Sequence, residues 1–348
     1  MIGSGDRPRR SLLARLVAVV ATLSGLLVLT LLIATKIGPV AIPFSVVIAS
    51  AKSYLAGQPF ADPHNLAFIF WRQRLPRVVL GAAVGCALTV SGGALQGLLM
   101  NPLADPYLVG VSAGAALGAS IAMVAHFGVF LGGAGKCLMA FASGLLTMIL
   151  VLWLARARRR IERDSFILAG VVVGSFMWAF VTVVMTAARQ DLATIVLWLM
   201  GNLSGQATWS VVWVVVVVVG GGCVMLYSYA RDLNLLALGE ESARQLGVEV
   251  ESLKTGVITF SALVTAAAVS VSGIIGFVGL VIPHIARKLF GADHRVLLPA
   301  AGLLGASFLV WADAVARAVG ETFPVGVLTA LLGAPFFFYL LRTRPRPE

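Results

Sequence analysis

The chain has 348 residues, of which 59% are apolar and 12% charged, about half the charged share of an ordinary soluble domain. With a mean hydropathy of +0.97, that apolar surface exceeds what a water-facing shell can hide, which excludes a soluble globular enzyme, a disordered chain and a disulfide scaffold, and calls for a lipid solvent. The net charge of +11 therefore bears on orientation in a bilayer rather than on nucleic acid.

A hydrocarbon core of about 30 Å takes roughly 20 apolar residues per helix. Charges punctuate the chain so that ten spans are predicted, near 14–35, 76–99, 107–127, 137–155, 165–187, 207–229, 255–273, 277–290, 298–317 and 323–341. The eighth is short, and residues 192–206 read as a partial or re-entrant segment. Residues 1–13 form a basic cytoplasmic tail and 342–348 a second one. The first span carries no convincing small-residue cleavage site and reads as an uncleaved helix. The domain between the tails, 14–341, has three notable connections. A long outer loop at 36–75 is broken by Pro39, Pro43, Pro59 and Pro63. A tight inner turn lies at 156–164. The longest inner segment is 230–254.

Ten spans place both termini on one side. Taking that side as the cytoplasm puts 18 Lys and Arg inside and 8 outside, in line with the positive-inside rule. The group Arg72, Arg74 and Arg77 stands against that trend. Glycines recur four apart at Gly110, Gly114 and Gly118 and again at Gly81 and Gly85, a pattern for close helix approach in lipid.

Several chemistries have no residues to carry them. The Gly135-Lys136 pair lacks the rest of a phosphate-binding loop, so this chain is not expected to hydrolyse nucleotide. The histidines are scattered without metal-ligand spacing, and Cys86, Cys137 and Cys223 read as small buried residues. Asp313 lies inside a span four residues before Arg317, which fits a helical ion pair. Beside it, only His126 could extend an intramembrane proton relay. An ion-coupled carrier and an intramembrane enzyme are both poorly supplied.

The inner segment 230–254 is the clearest positive feature. Leu236, Leu238 and Gly239 lead into Glu240, Ala243, Arg244, Leu246 and Gly247. The acidic pair at 240–241 suits a helix N-terminus, and the helix is either continuous or broken at Gly239. A short amphipathic helix here lies on the membrane or docks in a partner's groove.

This stretch, LNLLALGEESARQLGV, resembles the cytoplasmic coupling segment of FecCD-type permeases. So do Arg74-Leu75-Pro76-Arg77, Asn101-Pro102-Leu103-Ala104-Asp105-Pro106, the run from Gly276 to Arg287, Gly291-Ala292-Asp293-His294-Arg295, Ala312 to Arg317 and Pro324-Val325-Gly326-Val327, in order along residues 72–341. The resemblance implies an all-α permease of about ten spans, the membrane subunit of a binding-protein-dependent ABC importer for ferric siderophores, haem or vitamin B12, in the inner membrane. It implies a homodimer, two ATPase subunits holding ATP and Mg and docking on 230–254, no cofactor on this chain, and a path lined by the fifth span with Ser175, Thr182 and Thr186. It also implies that outer arginines, here Arg74, Arg77 and Arg317, meet acidic residues of a periplasmic binding protein. Glu162 and Arg163 occupy the family's inner gate, as a solvated turn or an ion-paired gate. Arg189 sits at the outer mouth, as a cation for an anionic chelate or as a helix-end anchor.

Overall fold

A computed structural model describes residues 6–40, 42–57, 65–127, 134–157, 160–188, 190–205, 207–320 and 323–342. Within them the regular structure is helical apart from one two-residue pairing. In order come α1 (Asp6–Ala34), α2 (Phe44–Leu55) and α3 (Leu66–Phe68), which runs through a π-turn at Ile69–Arg74 into α4 (Leu75–Leu98). A 3₁₀ turn at Pro106–Val109 precedes α5 (Val111–Val124) and α6 (Ala134–Ala155). Strands β1 (Arg156–Ala157) and β2 (Arg160–Ile161) pair antiparallel at the inner turn. Then follow α7 (Arg163–Ala187), α8 (Leu192–Leu199), α9 (Trp209–Ser228), α10 (Ala230–Leu236), α11 (Glu240–Gln245) and α12 (Val250–Ser272). The last three are α13 (Val278–Phe290), α14 (His294–Val319) and α15 (Val325–Arg342).

Each of the ten predicted windows falls on a helix, but among the described residues seven helices are long and apolar enough to cross a membrane. The window at 107–127 is shortened because Asp105 caps a 3₁₀ turn and Gly110, at φ +83°, starts α5 afresh. The window at 277–290 holds the 13-residue α13, set off from α12 by Gly273 and Phe277, both at φ +68°. Its apolar neighbour at the chain end is Val325–Phe338. The predicted outer loop 36–75 is less of a loop than expected. It holds α2, and helix begins at Leu66 rather than 76. Pro76 lacks an N–H and crowds the preceding turn. The helix widens there, with the Leu75 N–H reaching the Phe70 carbonyl, and so continues through the proline. At the other end α1 begins at Asp6, inside the predicted tail.

The interior is built on α4, α12 and α14, the most buried spans, whereas α1, α6, α7 and α9 leave most of their surface outward. Lipid is as apolar as leucine, so packing and polar contacts rather than water exclusion hold these helices together. A Cβ on Gly85 would collide with the Gly305 carbonyl, so α4 and α14 meet backbone to backbone. Ser91 Oγ lies 3.0 Å from Thr265 Oγ1, joining α4 to α12. The unwound residues between α12 and α13 are held by Tyr107, whose hydroxyl donates to the Ile275 carbonyl at 2.8 Å and accepts its N–H at 3.0 Å. The predicted partial segment is α8, with Ile195, Trp198 and Leu203 buried, and the Asn202 N–H bonded to the Ser272 carbonyl at 2.7 Å.

Candidate functional site

The segment 230–254 is organised by two glycines. Gly239 (φ +106°, ψ 151°) breaks the segment between α10 and α11, and Gly247 (φ +86°) ends α11. Space is open around both, so backbone conformation alone calls for glycine there. The break turns the apolar side chains two ways. Leu236 and Ala243 are fully buried anchors, while Leu238 and Leu246 stand 66% and 57% exposed. Glu240, at the start of α11, gathers three cations: Arg163 Nη2 at 3.6 Å, Arg244 Nη2 at 3.4 Å and Lys254 Nζ at 3.1 Å. The first of these pairs the start of α7 with the segment, while Glu162 remains exposed. On the other flank, Asn234 of α10 donates to Asp293 at 2.7 Å and accepts the His294 N–H at 2.9 Å. Sequence reasoning missed Lys254 and Asn234 as organisers. Lys254 read as one more inside charge, and its burial at 5% is the property that no sequence pattern carries.

Helix α7 presents Val171, Ser175, Trp178, Thr182 and Thr186 as one stripe, spaced by three or four residues and exposed along its length. Thr182 and Thr186 donate to carbonyls of their own helix, at 3.1 Å and 2.7 Å, so they present methyl groups as much as hydroxyls. Ser175 and Trp178 also line a cavity of about 470 Å³, shared with Asp105, Tyr107, Gly276 and Phe277. Burial lifts the Asp105 carboxyl to about 6, opposed by the Tyr107 N–H that it accepts at 3.0 Å. Arg189 lies outside the described residues.

The three arginines that the resemblance gives as docking residues are buried in this chain. Arg74, Arg77 and Arg317 are 6%, 9% and 6% exposed. Arg74 Nη1 donates to the carbonyls of Thr35 at 3.2 Å and Lys36 at 3.4 Å, and its Nη2 to that of Val40. Arg317 donates to Ile37 at 2.8 Å and Ala34 at 3.1 Å. The two guanidiniums thus hold the last carbonyl of α1 and those of the turn that follows it. Asp313, 1% exposed, takes Arg77 on both oxygens, with Nη2 at 2.7 Å, and has Arg317 Nε 3.0 Å from Oδ2, off the hydrogen-bond line. The expected Asp313–Arg317 pair is present, and Arg77 is the partner that sequence reasoning did not supply. On the same turn Arg72 is exposed. His126, 69% exposed in its side chain, lies 3.9 Å from Asp191.

Comparison with known proteins places this geometry. The model of the FecCD transport family matches residues 26–343. The cobalamin import system permease protein BtuC of Halobacterium salinarum is 44% identical over 84% of this chain and 78% of its own. The hemin transport system permease protein HmuU of Yersinia pestis is 43% identical over 77% of this chain and 81% of its own. A solved structure, described as the inward-facing conformation of an ABC transporter assigned to the metal-chelate type, superposes with a TM-score of 0.79 at 32% identity. That match covers 94% of this chain and all of the other. The chain belongs to the FecCD transport family.

Proposed function

We propose that this chain is the permease of an ABC importer in a cytoplasmic membrane, working as a homodimer with two ATPase subunits and a binding protein on the outer face. Both termini lie in the cytoplasm, and the ATP and Mg belong to the ATPase subunits. The observation that carries the reading is the inner segment, where buried Leu236 and Ala243 fix a short helix so that Leu238 and Leu246 face outward. Apolar side chains held on a rigid, charged surface are what a partner's groove takes. The cargo is a bulky metal chelate, a ferric siderophore or haem, with cobalamin as the second reading, since relatives named for cobalamin and hemin match almost equally well.

The exposed stripe of α7 supports a path between two copies. Paired across an axis, two such stripes make a wall of valine, tryptophan and threonine that slides past a large chelate without binding it tightly. A hydrated metal ion would need ligands, and among the described residues no three His, Cys, Asp or Glu side chains converge. The mechanism is alternating access: closure of the ATPase pair moves α11, and α7 tilts at the axis. Asp313, clamped between two guanidiniums, is poorly placed to release and take up protons, which disfavours an ion-coupled carrier.

The test is uptake into proteoliposomes holding the permease with its ATPase and binding protein, with a ferric siderophore, haem and cobalamin offered in parallel. ATP-dependent accumulation of one chelate supports the reading and names the cargo. Accumulation without the ATPase would return the carrier.

A further inference from the structure

We propose that Lys254 is a positioning residue that clamps the coupling helix α11 to the inner end of α7, so that the two move as one body. The proposal rests on the importer reading and adds the linkage through which a push on α11 reaches the path.

An ammonium has three donors, and here all three are taken. Lys254 Nζ donates to the Ile161 carbonyl at 2.8 Å, to Glu240 at 3.2 Å and to Glu251 at 3.2 Å. The acceptors sit on three elements: the β2 strand that feeds α7, the coupling helix α11, and α12 itself. The grip on Ile161 is two-sided, because the other carboxylate oxygen of Glu251 accepts the Ile161 N–H at 2.9 Å. Glu240 closes the ring, with Oε1 3.6 Å from Arg163, the first residue of α7.

Burial separates this cluster from ordinary surface pairing. The Lys254 side chain is 7% exposed, whereas Arg244 and Glu241, which also pair on α11, are 40% and 78% exposed. A buried ammonium that loses an acceptor has no water to replace it, so its contacts are kept or broken together. Residues 161–163 are the hinge between the inner turn and a helix of about 37 Å. Holding both backbone groups of Ile161 therefore sets the direction in which that lever starts.

The experiment uses the full-length permease in lipid nanodiscs, with Cys86, Cys137 and Cys223 replaced and spin labels at Ser242→Cys on α11 and Ser165→Cys on α7. The expected result is a narrow distance distribution that Lys254→Met broadens at least twofold and Lys254→Arg largely restores. A distribution unchanged by Lys254→Met overturns the clamp. If that variant does not fold, Glu251→Met, which removes both the Lys254 acceptor and the acceptor of the Ile161 N–H, is read the same way. In the complex with ATPase and binding protein, chelate taken up per ATP hydrolysed is expected to fall at least tenfold in the broadened variant, and an unchanged ratio overturns the linkage. The label distances need neither ATPase nor cargo. A wild-type complex that transports nothing therefore counts against the importer reading alone, while the distances still decide the clamp.

Discussion

Arg77 and Asp313 lie 236 residues apart in the chain and meet in a buried two-oxygen pair, with Nη2 and Oδ1 2.7 Å apart. Arg317 approaches the same carboxylate from one turn further along α14, so one anion serves two cations, and those cations reach α4 and the end of α1. The arrangement fastens three helices at one point.

The consequences of breaking it are unequal. Asp313→Asn leaves two buried guanidiniums facing each other and is expected to cost roughly 3–5 kcal/mol. Arg77→Met leaves Asp313 with Arg317 and should cost clearly less. Thermal unfolding of the purified permease, followed by size-exclusion fluorescence, measures both. Equal losses, or an Asp313→Asn protein as stable as wild type, would show that the cluster is not a fastening.

On the inner face, stability and docking should separate by side chain. Leu238→Asp and Leu246→Asp change exposed positions and are expected to shift stability by no more than about 0.5 kcal/mol. They should nevertheless abolish co-purification of the ATPase subunit. Leu236→Ala opens a cavity at a fully buried site and should cost roughly 2–5 kcal/mol. Gly239→Ala places a Cβ in a conformation that is nearly glycine-only, at about 1–3 kcal/mol. Its effect should appear as weakened ATPase binding, because nothing lies within reach for the Cβ to strike. ATPase that still co-purifies with both aspartate variants would remove α11 as the docking element.

Much of this was legible in the sequence because lipid imposes a simple code. Charges marked most helix ends, the short window at 277–290 matches the short α13, and the acidic pair at 240–241 marked the start of α11. The burial of Arg74, Arg77 and Arg317 was not legible, for a physical reason. Their spacing and sidedness are local and readable, but what they bond to is not. Arg74 and Arg317 are drawn inward by the carbonyls at the end of α1, and Arg77 by a carboxylate on α14. None of these partners lies near the arginines in the sequence. The π-turn at Ile69–Arg74 was equally out of reach, since the span was expected to begin at Pro76, and only the widened turn shows how helix runs into it from Leu66.

Asp293 offers a test by pH. Hydrogen bonds from Arg295, with Nη2 at 2.7 Å, hold its carboxyl down at about 2 from an ordinary 3.8. It also caps α14 through the Arg295 N–H and accepts from Asn234. A carboxyl whose folded pKa lies below its unfolded value adds stability above the unfolded pKa and loses it as pH falls through the folded one. The window here is from about pH 4 down to about pH 2. Asp293→Ala should therefore cost about 1 kcal/mol at neutral pH, and its melting curve should converge on that of the wild type through that window. A gap that stays constant down to the acid end would mean that the charge contributes nothing.

The outer face gives the last prediction, because burial reassigns which charge can be felt from solution. Exposed charges steer encounter more than they add affinity, and buried Arg74, Arg77 and Arg317 are already held by the chain's own oxygens. Arg72 is exposed on the same turn. For a binding protein that presents acidic residues, Arg72→Glu is expected to slow association severalfold at low salt and to leave the melting temperature unchanged. The slowing should fade as ionic strength shortens the screening length to about 10 Å at 0.1 M and below that in stronger salt. Arg77→Met should do the reverse, lowering the melting temperature with little salt-dependent effect on association. Surface plasmon resonance of nanodisc-held permease against the binding protein, across a salt series, reads both rates. If Arg77→Met slows association as steeply with falling salt as Arg72→Glu does, the buried cluster opens on docking and the arginines act directly after all.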